Sequence, residues 1–152
     1  MNLIPQLLKN RIVGEYTLSH TPLQAGLGGC PWRVAIASML LCRTRRVQAE
    51  PVLRELLFRW PTAAALAVAE GVEEVCRPCG LHRQRARQLQ RFSNEYLADW
   101  WKDLRELTGV GVYVADAVSL FCFGETNLES KDNVLSDYAR RVKCASALSV
   151  AV

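Results

Sequence analysis

Several absences narrow this sequence before any motif is read. No apolar run reaches membrane-spanning length: the most apolar stretch, VAIASMLLC from Val34 to Cys42, falls far short of the roughly 20 residues a transmembrane helix needs. The opening MNLIPQLLKNR has no long hydrophobic core of a secretory signal. There is no low-complexity tract and no internal repeat, which excludes solenoids and disordered linkers. The 6 cysteines are irregularly spaced and do not make the framework of a secreted disulfide-stapled domain, so reduced thiols and an intracellular location are expected. Cys76 and Cys79 in CRPC have no second C-x-x-C or H-x-x-x-H to complete a zinc site, and His82 would bring the ligands only to three. No metal is expected there, only two half-buried thiols beside a turn at Pro78 and Gly80.

The chain has 152 residues, of which 50% are hydrophobic and 22% charged. That predicts one globular domain over residues 1–152 with a sizeable core. Net charge is +4, and arginine far outnumbers lysine, clustering in CRTRR (Cys42–Arg46) and LHRQRARQLQR (Leu81–Arg91). Guanidinium groups suit planar, bidentate contact with phosphate, although the same clusters also fit solvated helix faces.

The helical period dominates wherever a period can be read. PWRVAIASMLL, opened by Pro31, is apolar on nearly every side and predicts a buried central helix. Pro51 is placed in the first turn of the next, whose Val52, Leu53, Leu56, Leu57 and Trp60 recur at helical spacing. Trp60-Pro61-Thr62 separates it from a short alanine-rich helix, and GVEEVCRPCG forms another. A long helix runs from His82 to about Trp101, with Leu89, Ser93, Tyr96 and Trp100 on one face. A helix from about Val112 to Phe123 and a last one after Asp132 complete an all-α fold.

Between two of these helices lies LTGVGVYVADAV, Leu107–Val118. Glycines around a single valine let the chain turn sharply and leave N–H groups bare at a helix start, where an anion is attracted. A turn that binds nothing is the alternative, and its surroundings decide. The LTGVG hairpin (about 107–113) is followed some two dozen positions on by a lone aspartate in KDNVLSDY, Lys131–Tyr138. This order and gap resemble the helix-hairpin-helix DNA glycosylases of the endonuclease III superfamily. Within it the chain looks most like the mismatch-specific thymine and uracil glycosylases, including the glycosylase domain of the methyl-CpG-binding thymine glycosylases. The segments PWRVAIASMLLCRT, EPVLRELLFRWPTAAALAVA and CGLHRQRARQLQRFSNEYL carry the likeness from about Gln24 to Val142.

What the resemblance implies can be set beside the chemistry. An enzyme that cuts a base from duplex DNA first swings the nucleotide out of the stack, at a cost of a few kcal/mol. Gly109, Val110 and Gly111 would present backbone N–H groups to a phosphate, independent of sequence. Related hairpins can also hold a monovalent cation there. Arg43, with Thr44 beside it, matches the family's intercalating arginine, and Leu81 matches the wedge beside the unpaired base; a surface arginine and a core leucine are the plain alternatives. Tyr113 stands where bifunctional relatives carry a lysine, and a phenol cannot form a Schiff base. It would instead stack on a flipped pyrimidine, whose polar edge Gln24 would read. Breaking the N-glycosidic bond builds positive charge on the sugar, which an ionised Asp132 can stabilise while orienting water. Capping the last helix is the alternative for Asp132, with the hairpin upstream favouring catalysis, and the two roles can coexist.

The resemblance therefore implies a monofunctional enzyme removing thymine or uracil opposite guanine from double-stranded DNA, acting as a DNA-associated monomer without cofactor. A modified, 5-substituted pyrimidine is the rival substrate, and a non-catalytic DNA-binding module or a small zinc-dependent regulator are rival functions. Three departures stand out. Cys42 replaces an amide residue before Arg43, Thr108 replaces the hairpin proline with little effect expected, and Lys131 sets a cation beside Asp132. The four-cysteine cluster loop of many relatives is missing, only Cys144 remaining there, so no iron–sulfur cluster is expected.

Overall fold

The two most apolar helices occupy the centre of a computed structural model that describes residues 21–150. Residues 1–20 and 151–152, part of the expected domain, lie outside the described residues. The helices are α1 (Pro31–Leu41), α2 (Arg46–Arg59), α3 (Ala63–Ala67), α4 (Val72–Cys76), α5 (His82–Leu97), α6 (Val112–Phe123) and α7 (Asn133–Val150). No strand occurs among the described residues, so the fold is all-α as expected.

Pro31 sits in the first turn of α1, where its missing N–H costs nothing. Val34, Ala35, Ile36, Ala37 and Leu40 are fully buried, because a helix apolar all round has no face to offer water. Each large aliphatic side chain so buried stabilises the fold by about 1.5–3 kcal/mol. Helix α1 packs against α6, which buries Val114 through Val118, and also touches α2 and α5. Helix α5 turns Ala86, Leu89, Phe92 and Ser93 inward and lies against α3 and α4. Where α1 meets α5, Trp32 Nε1 donates to Ser93 Oγ at 3.0 Å and Ser93 donates on to Leu89 O, leaving no buried polar atom of the pair unmatched.

Helix α6 ends at Gly124 in a left-handed cap, with Gly124 N bonded to Leu120 O and Glu125 N to Ser119 O. Helix α7 then returns to α6 through Leu135, Ala139 and Tyr138, whose ring lies 4.9 Å from that of Phe121. No helix among the described residues is long and apolar enough to cross a membrane.

Three local expectations differ from the structure. Pro51 is inside α2, not in its first turn, because the helix begins at Arg46 and buries Ala49 one turn ahead of Val52 and Leu53. The proline leaves the Val47 carbonyl without its helical donor, on a face that is exposed to water. Helix α5 stops at Leu97, four residues early, when Ala98 turns extended. Trp100 is consequently exposed, and Trp101 instead stacks on Tyr96 at 5.6 Å and donates Nε1 to its carbonyl. Cys76 and Cys79 are buried rather than half-buried, and burial pushes the Cys76 thiol up to about 12.

Candidate functional site

The hairpin is built by short-range bonds and then clamped from α5. Asp103 and Glu106 form a capping box on the turn Leu104–Glu106, delivering Leu107 into the core. Val110 N donates to Leu107 O at 3.2 Å, closing the turn. Gly109 has φ +80°, and a Cβ there would lie 2.5 Å from Met39 Cε and 2.8 Å from Gln88 Cγ. Gly111 has φ −92° and ψ −170°, ordinary extended backbone, with nothing within 4 Å of a Cβ. The two glycines are thus not equivalent: the fold needs the first and leaves open space at the second.

Val110 also departs from expectation. Its N–H is spent inside the turn and its side chain belongs to the core, so the N–H groups left for an anion are those of Gly109, Gly111 and the first turn of α6. Thr108, expected to change little, donates its N–H to Glu95 Oε2 at 2.7 Å and its hydroxyl to Oε1 at 2.8 Å. Proline has no N–H and could make neither bond. Burial pushes the Glu95 carboxyl up, but the two bonds from Thr108 and one from Arg91 outweigh it and hold the group below its ordinary value.

Beside the hairpin opens a cavity of about 530 Å³, walled by Gln24, Leu41, Tyr113, Asp132 and Tyr138 among others. Gln24 comes from the 3₁₀ turn Leu23–Gly26 and is almost wholly buried. Its Nε2 donates to Tyr113 Oη at 3.0 Å and to Ser38 Oγ at 3.4 Å, while Ser38 donates to Val34 O. Burial drives the Tyr113 phenol up to about 12, against the opposing hydrogen bond from Gln24. It is therefore a neutral hydroxyl at physiological pH. Asp132 accepts from Leu135 N through Oδ1 at 2.9 Å, so it caps α7 and also lines the cavity. The cap occupies one of two carboxylate oxygens. The loop before it is tied down by Ser130 N donating to Asp116 Oδ2 at 2.6 Å.

Arg46 and Arg141 stand at the same cavity, Arg46 paired with Glu50 and Arg141 with Asp137. Arg43 and Leu81, exposed on two separate loops, have φ of +57° and +48°. They are the two non-glycine residues at positive φ among the described residues. Left-handed backbone costs an L-residue roughly 1–2 kcal/mol. Leu81 is 66% exposed, which settles it as a surface side chain, not a core leucine. Thr44 Oγ1 accepts from Arg85, and the residue lines the cavity. His82 Nε2 lies 3.5 Å from Glu73 Oε1. Among the described residues no three histidine, cysteine or acidic side chains cluster closely enough to hold a metal ion.

The structure thus gathers Gln24, Tyr113, Asp132 and Thr44 on one cavity. It sets the hairpin at the start of α6 and carries Arg43 and Leu81 on neighbouring loops. Four supporting residues escaped the sequence reading: Ser38, Arg85, Glu95 and Asp116. A lone acid inside the apolar VYVADAVSLFCF was a legible signal for Asp116. The others resemble ordinary polar residues on helices.

No family model matches the chain. It is 38% identical over 112 residues to a methyl-CpG-binding domain protein 4-like protein of Arabidopsis thaliana, covering 71% of this chain and 25% of that one. It is 36% identical over 103 residues to a thymine-DNA glycosylase of Aeropyrum pernix, covering 62% and 46% respectively. The chain thus spans from a quarter to about half the length of these relatives. Among solved structures it is similar to a thermostable thymine-DNA glycosylase, with TM-score 0.64 at 18% identity over 81% of this chain and 61% of that one. It is similar also to an endonuclease III trapped on DNA, with TM-score 0.61 at 17% identity over 93% and 79%.

Proposed function

This chain belongs to the helix-hairpin-helix, endonuclease III-like DNA glycosylase superfamily, and we propose that it is a monofunctional glycosylase. Its substrate is a thymine or uracil mispaired with guanine in duplex DNA, which it hydrolyses to an abasic site, as a monomer and without cofactor. The observation that carries this reading is the convergence of Gln24, Tyr113 and Asp132 from three separate elements onto one cavity beside the hairpin.

In this reading the N–H groups of Gly109, Gly111 and the first turn of α6 hold a phosphate, alone or through a monovalent cation, while the nucleotide swings out. Arg43 and Leu81 enter the gap it leaves. The flipped pyrimidine lies in the cavity against the neutral Tyr113 ring. Gln24 spends Nε2 on Tyr113 and Ser38, so Oε1 is the atom left for the base. An acceptor there suits the N3–H of thymine or uracil and opposes cytosine, whose N3 carries no proton. As the C1′–N1 bond breaks, its electron pair leaves with the base and Asp132 stabilises the cationic sugar. Water adds to C1′ and gives its proton toward Asp132. No amine stands at position 113 to trap C1′, so the strand stays intact until alkali cleaves it.

The test is incubation of the purified protein with end-labelled duplexes carrying G·T, G·U, 5-substituted uracils or intact pairs, with and without alkali, beside Asp132→Asn. Alkali-dependent breaks at G·T or G·U that vanish in the variant are expected. Breaks without alkali would overturn the monofunctional assignment, and binding without cleavage on every duplex would overturn catalysis itself.

A further inference from the structure

Arg43 and Leu81 come from loops far apart in sequence, yet one side chain reaches both. Arg85, one turn into α5, donates Nε to Gly80 O at 3.0 Å, immediately before Leu81. Its Nη1 donates to Met39 O at 3.2 Å and Leu40 O at 3.4 Å, on the last turn of α1. Its Nη2 donates to Cys42 O at 3.0 Å and Thr44 Oγ1 at 2.7 Å, the residues on either side of Arg43. A guanidinium has five N–H donors, and all five have acceptors here. The carbonyls at the end of α1 lack helical donors and sit at the negative pole of the helix, so a cation is well matched to them.

We propose that Arg85 is the positioning residue that locks the Arg43 and Leu81 backbones into one joined, two-part wedge. Both residues hold left-handed backbone that nothing in their own side chains favours, and both are exposed, so no core packing holds them there. The fork fixes Cys42 O and Thr44 Oγ1 on the two sides of Arg43 and Gly80 O immediately before Leu81. A wedge of two parts enters a DNA gap only if both parts keep their spacing; Arg85 sets that spacing before DNA arrives. Lysine, a point charge with three donors on a flexible stem, cannot span five acceptors. The part played in base excision rests on the function proposed above, whereas the joining of the loops does not.

The test uses Arg85→Gln and Arg85→Lys in the full chain. Amide hydrogen exchange is followed at Cys42–Thr44 and Gly80–His82, with helix α6 as internal control. In Arg85→Gln both loops are expected to exchange faster together while α6 is unchanged, and in Arg85→Lys to an intermediate degree. On a mismatched duplex the single-turnover rate is expected to fall about 100-fold in Arg85→Gln and less in Arg85→Lys. Affinity for fully paired duplex should stay within about twofold, since phosphate contacts dominate it.

Acceleration in one loop only, or in α6 as much as in the loops, would overturn the proposal. So would an equal loss in rate and paired-duplex affinity. Should the wild-type protein cleave nothing, base excision falls, and the exchange data alone decide whether the loops are joined.

Discussion

The hairpin and the cavity lie side by side on α6 but are held by different physics. The hairpin is over-determined: a turn bond, a capping box, the Glu95 clamp on Thr108 and van der Waals contact under Gly109 all fix one backbone path. The cavity is held by few bonds between groups distant in the chain, chiefly Gln24 to Tyr113 and Asp116 to the Ser130 backbone. A rigid anchor can therefore carry an open pocket whose polar atoms stay available for chemistry. The comparison separates two kinds of substitution: hairpin changes should appear as stability or affinity, and cavity changes as rate.

Asp132→Asn is the most severe break on the cavity side. The asparagine oxygen still caps Leu135 N, so stability should hold. Loss of the charge should cut the single-turnover rate about 10²–10³-fold. A thermal shift as large as the rate loss would show that Asp132 serves the helix alone.

On the hairpin side Gly109→Ala should lower unfolding free energy by roughly 3 kcal/mol, since it combines φ +80° with a 2.5 Å clash. Urea denaturation reads this, and an unchanged midpoint would mean that Met39 and Gln88 yield freely. Gly111→Ala sharpens the contrast between the two glycines. It meets open space, so stability should stay within about 0.5 kcal/mol. Affinity for duplex DNA should nevertheless weaken about tenfold, or 1.4 kcal/mol, because the methyl is added to the turn proposed to hold the phosphate. Unaltered affinity in Gly111→Ala would move the anchor elsewhere.

The smallest effect belongs to the clamp. The Glu95 carboxyl is held below its ordinary value in the folded protein. Its contribution is therefore complete above the unfolded value near pH 4.3 and is lost as pH falls through the lower folded one. Glu95→Gln should cost about 1 kcal/mol at pH 7, with the gap to wild type closing in acid. A gap that is the same at pH 7 and in acid would assign the loss to packing.

Much of this was legible in order along the chain. Helix spans follow from apolar period and the hairpin turn from its closely spaced glycines, because both depend on neighbours a few residues away, whereas Asp132 was singled out by the family resemblance some two dozen positions on. Pro51 and the end of α5 were misread for a related reason: a buried alanine and an early extended residue carry little pattern. Leu81 could be weighed as wedge or core leucine from sequence, and only its exposure excluded the core reading. Arg85 was invisible as anything more than one arginine in a basic run, since four of its five acceptors are main-chain carbonyls that have no sequence signature.

By itself the sequence determined which segments are helices, which of them are buried on every side, and where the chain turns on glycine. Burial follows from side-chain composition, and left-handed turns favour the residue without a Cβ. The tertiary structure decided which glycine is packed and which is free, that Gln24 meets Tyr113, and that one guanidinium serves two loops. Each of those depends on the distance between atoms whose separation along the chain is large, and hydrogen bonds and steric contacts are decided by that distance within a few tenths of an ångström.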